Sequence, residues 1–340
     1  MSNLYLHCIS PLSLIDPSIV NLPRNLRQLE LHADNAPLYL DRPDANTQST
    51  RRLTNLVTLT TLTLHGRHDG RWLFLMKFAP HLTSLRVSPC WGWEHSTSLP
   101  FTNYNLRSLH LTNDQSDEHS DNRLTPIMFE NLVTAPLLSP RRSISSLDTN
   151  VRNLTLIDVP ILQELRPHLA FLAPTLETLH IAYNTPHTRQ AMTSLLEETL
   201  PLLTSLTSLH TNAGTEGLMN PPDSLTSLTI SLKGRPAPAP TESPHVYSSS
   251  IPSYASDPQI GSIYSTIMTI LDSSSCSAPG RLKNLTIVDP TMSDFLHFHL
   301  VSDSYGNPSE SQKQNRLWMK AGQMGVLVNV VKPQSGMQGR

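Results

Sequence analysis

Leucines recur along the chain in one fixed spacing: Leu, two residues, Leu, one residue, then Leu or another aliphatic residue. Well-preserved copies read NLRQLELH from Asn25, TLTTLTLH from Thr58, NLRSLHLT from Asn105 and TLETLHIA from Thr175. The second and third apolar positions alternate with polar residues, which is the period-two signal of a strand with one buried face. The pattern therefore predicts short strands with apolar side chains on one side and polar side chains on the other.

Copies of this pattern can be aligned by their first apolar residue, which we number position 1. The clear copies begin at Leu26, Leu59, Leu82, Leu106, Val151, Leu176, Leu206, Leu225 and Leu282. A weaker copy, SNLYLHCI, opens the chain at Ser2. The spacing ranges from 19 residues, between Leu206 and Leu225, to 57 residues, between Leu225 and Leu282. One copy cannot bury its own apolar face, so neighbouring copies have to stack and share a core. We therefore predict a repeat solenoid.

Several segments between the predicted strands have the apolar spacing of helices. ILQELRPHLAFL from Ile161 and TRQAMTSLLEETL from Thr188 fit this spacing, and Pro201 is expected to end or kink the second helix. Near the C-terminus we expect a helix over Ser309–Gly322 and a last strand after Gly325.

Composition divides the chain into ordered and disordered parts. The predicted solenoid covers residues 1–233, with a polar loop insertion near 114–150, and its last repeats with the C-terminal helix and strand cover residues 263–333. Residues 234–262 are dense in Pro and Ser and nearly lack aliphatic side chains, so burial cannot offset their ordering entropy and we predict a disordered insertion. Residues 334–340 are expected to form a disordered tail.

The copies resemble the leucine-rich repeat motif LxxLxLxx(N/C), which is typical of solenoids with a period of twenty-odd residues. Asp34, Cys90 and Asp114 fit its last position, whereas Val159 and Gly214 do not, so the repeats are irregular. The resemblance implies an α/β leucine-rich repeat solenoid, with a curved parallel β-sheet on the concave face and helices and irregular segments on the convex face. Partners of such solenoids dock on the concave sheet.

The composition excludes several classes of function. The formal net charge of −2 leaves no basic excess to neutralise phosphates, so we do not expect nucleic-acid binding. Cys8, Cys90 and Cys276 supply neither a disulfide framework nor a metal-binding spacing. The sequence shows no secretory signal and no run near the roughly 18 apolar residues of a membrane span. We therefore expect an intracellular protein, cytoplasmic or nuclear, that does not bind membranes.

Motifs that carry catalytic chemistry are missing from the sequence. It contains no GxxxxGK(S/T) loop, no HExxH, no CxxC and no GxSxG. His65, His68 and Asp69, with Cys90 and His95 downstream, form a loose group whose spacing matches no common set of metal ligands. We therefore predict that the protein is not an enzyme, and we assign it no catalytic residue, cofactor or metal.

The outward-facing positions of the predicted strands, and position 2 just before them, are rich in histidine and arginine. The candidate partner-binding residues of the concave face are Arg27, Glu30, His32, His65, Arg86, Arg107, His110, Arg152, His180 and His210. Stacking would align His32 with His65 at position 7, and would place the last three histidines together at position 5. Exposed arginine is a typical anchor at protein interfaces.

Two interpretations of the histidines stay open. Exposed strand positions accept any polar residue, and threonines such as Thr63 and Thr155 occupy equivalent places. Alternatively, the histidines line a groove whose affinity for its partner changes between about pH 5 and 7 as the imidazoles become charged. Trp91 and Trp93 either lie exposed at the rim or pack against a neighbouring segment.

The motifs LPRNLRQLELH from Leu22 and LTSLTSLH from Leu203 resemble the intracellular, irregular leucine-rich repeat domains of F-box proteins, particularly fungal ones. The resemblance covers roughly residues 3–331. It implies a non-enzymatic protein–protein interaction scaffold that recognises substrate proteins for an SCF-type ubiquitin ligase, with the F-box docking on a Skp-type adaptor.

The chain departs from that family because it has no recognisable F-box, and its first repeat begins at Asn3 without a polar cap. A domain upstream of this sequence would account for both features, and a Skp-type adaptor is an expected partner only if that domain exists. The alternative is a leucine-rich repeat regulator that inhibits an enzyme or a GTPase by capping it, as other intracellular solenoids do.

Overall fold

The structure is a computed structural model that describes the repeats and part of the chain between them. The described residues are 3–7, 23, 25–38, 53–68, 76, 79–88, 105–112, 150–159, 162–183, 186–212, 215–218, 220–231, 269, 271, 282–288 and 319–331. The chain forms two compact units, Met1–Ala191 and Met192–Arg340.

The first unit contains parallel strands that lie side by side in chain order. They are β1 (Asn3–His7), β2 (Gln28–Leu38), β3 (Thr61–His68), β4 (Ser84–Ser88), β5 (Ser108–Thr112), β6 (Asn153–Ile157) and β7 (Thr178–Ala182). β1 confirms that the weak opening copy is a repeat. β2 runs for 11 residues and changes its register against β3 between Ala33 and Leu38, an extension that the leucine spacing did not predict.

The second unit contains four further strands in the described residues, β8 (Ser208–Thr211), β9 (Ser227–Ser231), β10 (Asn284–Val288) and β11 (Leu327–Val331). β9 pairs in parallel with β8 and with β10, and β10 pairs in parallel with β11. Strands that are all parallel, connected by few helices, are compatible with the expected α/β solenoid class.

Helices occur where the apolar spacing predicted them. Helix α1 (Leu162–Leu172) joins β6 to β7, and helix α2 (Pro186–Thr199) follows β7. A 3-10 helix, Leu200–Leu202, takes over directly after α2 and contains Pro201, so the expected end of the helix is confirmed. Two other 3-10 helices, Leu53–Thr58 and Thr215–Leu218, lie in connections between strands.

The leucines form continuous rows because neighbouring strands pair position for position, so each leucine is the register partner of the equivalent residue in the next repeat. In the first unit, position 4 forms a continuous row of side chains that are at most 1% exposed: Leu29, Leu62, Leu85, Leu109, Leu154 and Leu179. From β2 to β7, position 6 forms a second buried row, and position 1 of the same repeats forms a third. In β1 the equivalent Leu4 and Leu6 are only partly buried. Burying one such side chain fully stabilises the fold by about 1.5–3 kcal/mol. The predicted inward register is therefore confirmed.

Backbone hydrogen bonds extend the pairing to position 2, just before each strand begins. The carbonyl oxygen of Arg27 accepts hydrogen bonds from the backbone N–H groups of both Thr60 and Thr61, at 2.8 and 3.0 Å. The same arrangement recurs between later repeats, for example from Arg152 and Asn153 to the carbonyl of Arg107. Position 2 is therefore held to the neighbouring repeat although it lies outside the strand.

Hydroxyl groups add a second link between repeats. The residue before position 1 is often Thr or Ser, and its hydroxyl donates to the position-1 carbonyl of the preceding repeat. Thr58 donates to Leu26, Thr175 to Val151 and Ser224 to Leu206, at 2.9, 3.2 and 2.7 Å respectively. These bonds give the position-1 carbonyl groups a hydrogen-bond partner in the next repeat.

Glycine 217 shows how closely the connection after β8 packs against α2. A Cβ atom placed on Gly217 would lie 2.7 Å from the backbone oxygen of Thr193 and 3.3 Å from Cβ of Leu196. Non-bonded atoms do not approach that closely, so the 3-10 helix Thr215–Leu218 can lie against α2 only with glycine at this position.

Other expectations fall wholly or partly outside the described residues. Of the polar insertion near 114–150, only residue 150 is described. Wholly outside the described residues lie the Pro/Ser-rich insertion 234–262, the tail 334–340, Trp91, Trp93 and the three cysteines. Of the helix expected over Ser309–Gly322, the structure describes helical residues from 319 onward, extending to 323. Gly325 follows with φ of +69°, and β11 confirms the strand expected after it.

Candidate binding surface

The side chains at position 5 form a row on the side of the sheet opposite the leucines, which we call the outer row. In the first unit the register aligns Tyr5, Glu30, Thr63, Arg86, His110, Thr155 and His180. All of them are partly or fully exposed, and the Tyr5 side chain is 57% exposed. The outer row is thus a mixed aromatic, charged and hydrogen-bonding surface on a rigid backbone.

The histidines of position 7 lie on neighbouring strands, as the alignment predicted. His7, His32 and His65 are consecutive register partners on β1, β2 and β3. The rings of His32 and His65 have centroids 4.3 Å apart, and the centroid of the Tyr5 ring lies 4.6 Å from that of His32, with the rings tilted in both pairs. A short stack of rings therefore crosses the first strands of the sheet.

The carboxylate of Glu30 lies close to the imidazoles of both His32 and His65. Its Oε1 accepts a hydrogen bond from Nε2 of His32 at 2.6 Å and lies 3.6 Å from Nε2 of His65. The three candidate ligand atoms all lie within 4.8 Å of one another. Glu30, His32 and His65, which the sequence predicts as separate members of a partner-binding face, therefore form one cluster in the structure.

His110 occupies a different environment in the outer row. Burial, together with the charge of Arg86 and the nearby His65, lowers the pKa of His110 to about 4. Its Nε2 lies 2.9 Å from the hydroxyl of Thr112 on the same strand. His110 is therefore neutral between pH 5 and 7, and the suggested gain of charge in that range is wrong for this residue.

His210, on β8 in the second unit, also has a lowered pKa. Burial lowers the pKa of His210 below its ordinary value, and its Nε2 lies 2.8 Å from the hydroxyl of Ser231. Position 5 continues from His210 through Thr229 and Thr286 to Asn329. The remaining position-5 histidine, His180, is half-buried on β7 in the first unit.

The three arginines of position 2 lie along the edge where the strands begin. Arg27, Arg107 and Arg152 are all exposed. Nη1 of Arg152 donates to Oε1 of Glu177 in the next repeat at 2.7 Å, and both side chains are about half exposed, so this pair contributes at most about 1 kcal/mol. Arg27 and Arg107 are not neighbours, because Thr60 and Thr83 occupy position 2 between them.

Comparisons with known proteins do not assign a family to this chain. No protein-family model matches it, and no curated protein matches it. Among the described residues, no helix has both the length and the apolar character that crossing a bilayer would require.

Proposed function

We propose that this protein is a non-enzymatic scaffold that binds another protein on the outer row and on the adjacent position-2 arginines. The observation that carries the proposal is the division of each strand into two sides. From β2 to β7, positions 4 and 6 are apolar and buried, and only in β1 are the equivalent Leu4 and Leu6 partly exposed. Position 5 of the same strands presents partly or fully exposed polar and aromatic side chains.

The chemistry of the surface supports a protein partner. Tyr5, Arg86 and Arg107 are exposed on or beside the sheet. Tyrosine and arginine dominate the residues that contribute most binding energy at protein interfaces, because each combines apolar area with hydrogen-bonding groups. Their backbones are held by a continuous ladder, so a partner would order few additional residues on binding.

The more specific form of the proposal comes from the resemblance to leucine-rich repeat domains of F-box proteins. In that form, the bound protein is a substrate that the scaffold presents to an SCF-type ubiquitin ligase. The link to the ligase would need a Skp-binding segment outside the described residues. The outer row would select the substrate, and its charge pattern of Glu30, Arg86 and nearby Arg107 would favour a partner with both acidic and basic groups.

Affinity capture with matched charge-reversal variants tests the proposal. The native chain, Arg86→Glu and Arg107→Glu would each be used to capture proteins from the cells that produce it. Arg166→Glu, on the exposed side of α1, is the control because it changes the charge equally away from the sheet. We expect a partner whose recovery falls about five-fold or more with either surface variant, the change that corresponds to roughly 1 kcal/mol, and not with the control.

The outcomes separate the candidate functions. Co-recovery of a Skp-type adaptor and a cullin would support the substrate-receptor form. Recovery of an enzyme that loses activity in equimolar mixture would support the capping alternative. A partner whose recovery is equal with the native chain and with both surface variants would contradict binding through this surface.

A further inference from the structure

Glu30, His32 and His65 bring three potential metal ligands within 4.8 Å of one another. Two imidazole nitrogens and one carboxylate oxygen face one another across β2 and β3, on the side of the sheet away from the leucine core. Two neutral imidazoles with a carboxylate are the ligand set of zinc sites that keep an open fourth position. Imidazole ligands also favour Zn²⁺ over Mg²⁺ and Ca²⁺, which prefer oxygen ligands.

We propose that Glu30, His32 and His65 bind a Zn²⁺ ion through Oε1 of the glutamate and Nε2 of each histidine. The remaining coordination position would face away from the core and accept water or a ligand from outside the chain. This site differs from the loose group of His65, His68, Asp69, Cys90 and His95 considered from the sequence, and it shares only His65 with that group. It also departs from the expectation that the chain holds no metal.

The three ligand atoms lie within 4.8 Å of one another, so side-chain adjustments of at most about 1.5 Å would bring them to the spacing of a zinc site. Ligand atoms at 2.0–2.1 Å from a tetrahedral zinc lie about 3.3 Å apart. The separation of 3.6 Å between Glu30 and His65 is already close to that value, whereas the hydrogen bond of 2.6 Å between Glu30 and His32 would have to open. The Glu30 side chain is 42% exposed, so it has room to rotate outward.

The histidines are better fixed than the glutamate. Their side chains are 15% and 23% exposed, and their rings lie against each other. Tyr5 packs against His32 from β1. Strands β2 and β3 are paired residue for residue at this level, with Leu31 and Leu64 buried immediately before the two histidines. Two ligands held in place on a rigid sheet reduce the ordering cost of binding the ion.

A hydrogen-bonded cluster without any ion is the competing explanation of the same geometry. In that case Glu30 would serve only to orient His32, and metal ions would bind weakly at scattered histidines. The sequence contains 15 histidines, so zinc binding alone would not distinguish the two explanations. The test therefore has to connect binding to these three side chains.

The experiment uses the full chain after dialysis against EDTA, titrated with Zn²⁺ in competition with a chromophoric chelator. We expect one tight site per chain, and Co²⁺ at the same stoichiometry should give the intense visible bands of four-coordinate cobalt. Glu30→Gln, His32→Gln and His65→Gln should each weaken Zn²⁺ binding at least ten-fold, since even residues that only support a ligand contribute ten- to a hundred-fold. His210→Gln is the matched control, because His210 is an outward strand histidine whose Nε2 lies 2.8 Å from a serine hydroxyl.

Thermal unfolding provides a second readout that does not depend on the competition assay. Zn²⁺ should raise the melting temperature of the native chain and of His210→Gln, and should leave that of the three ligand variants nearly unchanged. Two results would overturn the proposal: the absence of a stoichiometric site in the native chain, or unchanged affinity in all three ligand variants. If a variant does not fold in EDTA, the cobalt spectrum of the native chain still decides whether a four-coordinate site exists.

Discussion

At the scale of single residues, neighbours decide what each histidine of the surface can do. His110 and His32 are both outward strand residues, yet His110 lies between β4 and β6 beside the guanidinium of Arg86, whereas His32 faces the carboxylate of Glu30. A guanidinium disfavours a charged imidazole, and a carboxylate favours a hydrogen bond from it. Two outward histidines of the same sheet therefore carry different chemistry.

The lowered pKa of His110 predicts that acid destabilises the fold through this residue. The unfolded chain protonates His110 near its ordinary pKa of 6.5, but the folded chain does so only near pH 4. The unfolded state thus binds more protons between these values, and stability falls as the pH decreases through that window. Arg86 on β4 and His65 on β3 are the charged or titratable groups named as causes, while β6 presents the neutral Thr155.

Replacing His110 by Gln should remove this part of the pH dependence. We expect the free energy of unfolding to fall between pH 7 and pH 4 by about 1–2 kcal/mol less in His110→Gln than in the native chain, a value reduced for partial exposure. Urea unfolding at both pH values measures the difference, and an NMR titration of the imidazole measures the pKa directly. Equal losses of stability in the two proteins, with the imidazole titrating near pH 6.5, would contradict the assignment.

At the scale of elements, Gly217 limits how the connection after β8 packs on α2. Gly217→Ala would place a methyl group 2.7 Å from a backbone oxygen, so the 3-10 helix or α2 would have to move. We expect the free energy of unfolding to fall by about 1–3 kcal/mol, as for other overpacked sites.

Gly322→Ala is the matched control in the same unit, because its added methyl group would have no atom within 4 Å. Since alanine favours helix more than glycine does, that control should stabilise by about 0.5–1 kcal/mol. Chemical denaturation of both variants measures the free energies of unfolding. An unchanged free energy of unfolding in Gly217→Ala would contradict the close packing of Gly217 against the Thr193 backbone oxygen.

The strands and their inward register could be predicted because they depend on one simple period. Alternation of apolar and polar residues determines which side of a strand faces the core, and equal counting from position 1 placed His32 beside His65 correctly. The packing at Gly217 could not be predicted, since it depends on how a connection and a helix approach each other. The extension of β2 beyond His32 was also missed, because its sequence does not alternate.

The hydroxyl links between repeats do have a signature in the sequence, because they depend on one residue type at one place in the repeat. Thr or Ser precedes position 1 in several copies, as at Thr58, Thr175 and Ser224, and each donates to the preceding repeat. The sequence places Glu30 at position 5 and His32 and His65 at position 7, but it does not show that the three side chains meet. Its assembly depends on side-chain rotamers, and alternation along a strand carries no information about these.

At the scale of the whole molecule, repetition makes stability a sum of local terms and nearest-neighbour contacts. In the first unit, the buried leucines of β2 to β7 are register partners from strand to strand, so neighbouring repeats share one core. Damage to one repeat is therefore expected to affect adjacent repeats most. The same reasoning explains why surface residues such as Arg86 can be changed for a binding test without loss of the fold.

Leu179→Ala on β7 tests both the buried register and this local coupling. Leu179 is completely buried and pairs in register with Leu154, so its truncation should destabilise the first unit by about 2–5 kcal/mol. His180→Ala is the matched control on the same strand, because it removes a half-buried outward side chain and should cost much less. Hydrogen exchange should show faster exchange in β6 and β7 of Leu179→Ala, with β1 and β2 little changed, because neighbours lose most when one repeat loosens. Equal melting temperatures for Leu179→Ala and the native chain would contradict the inward register, and uniform acceleration across all strands would show that the first unit unfolds only as a whole.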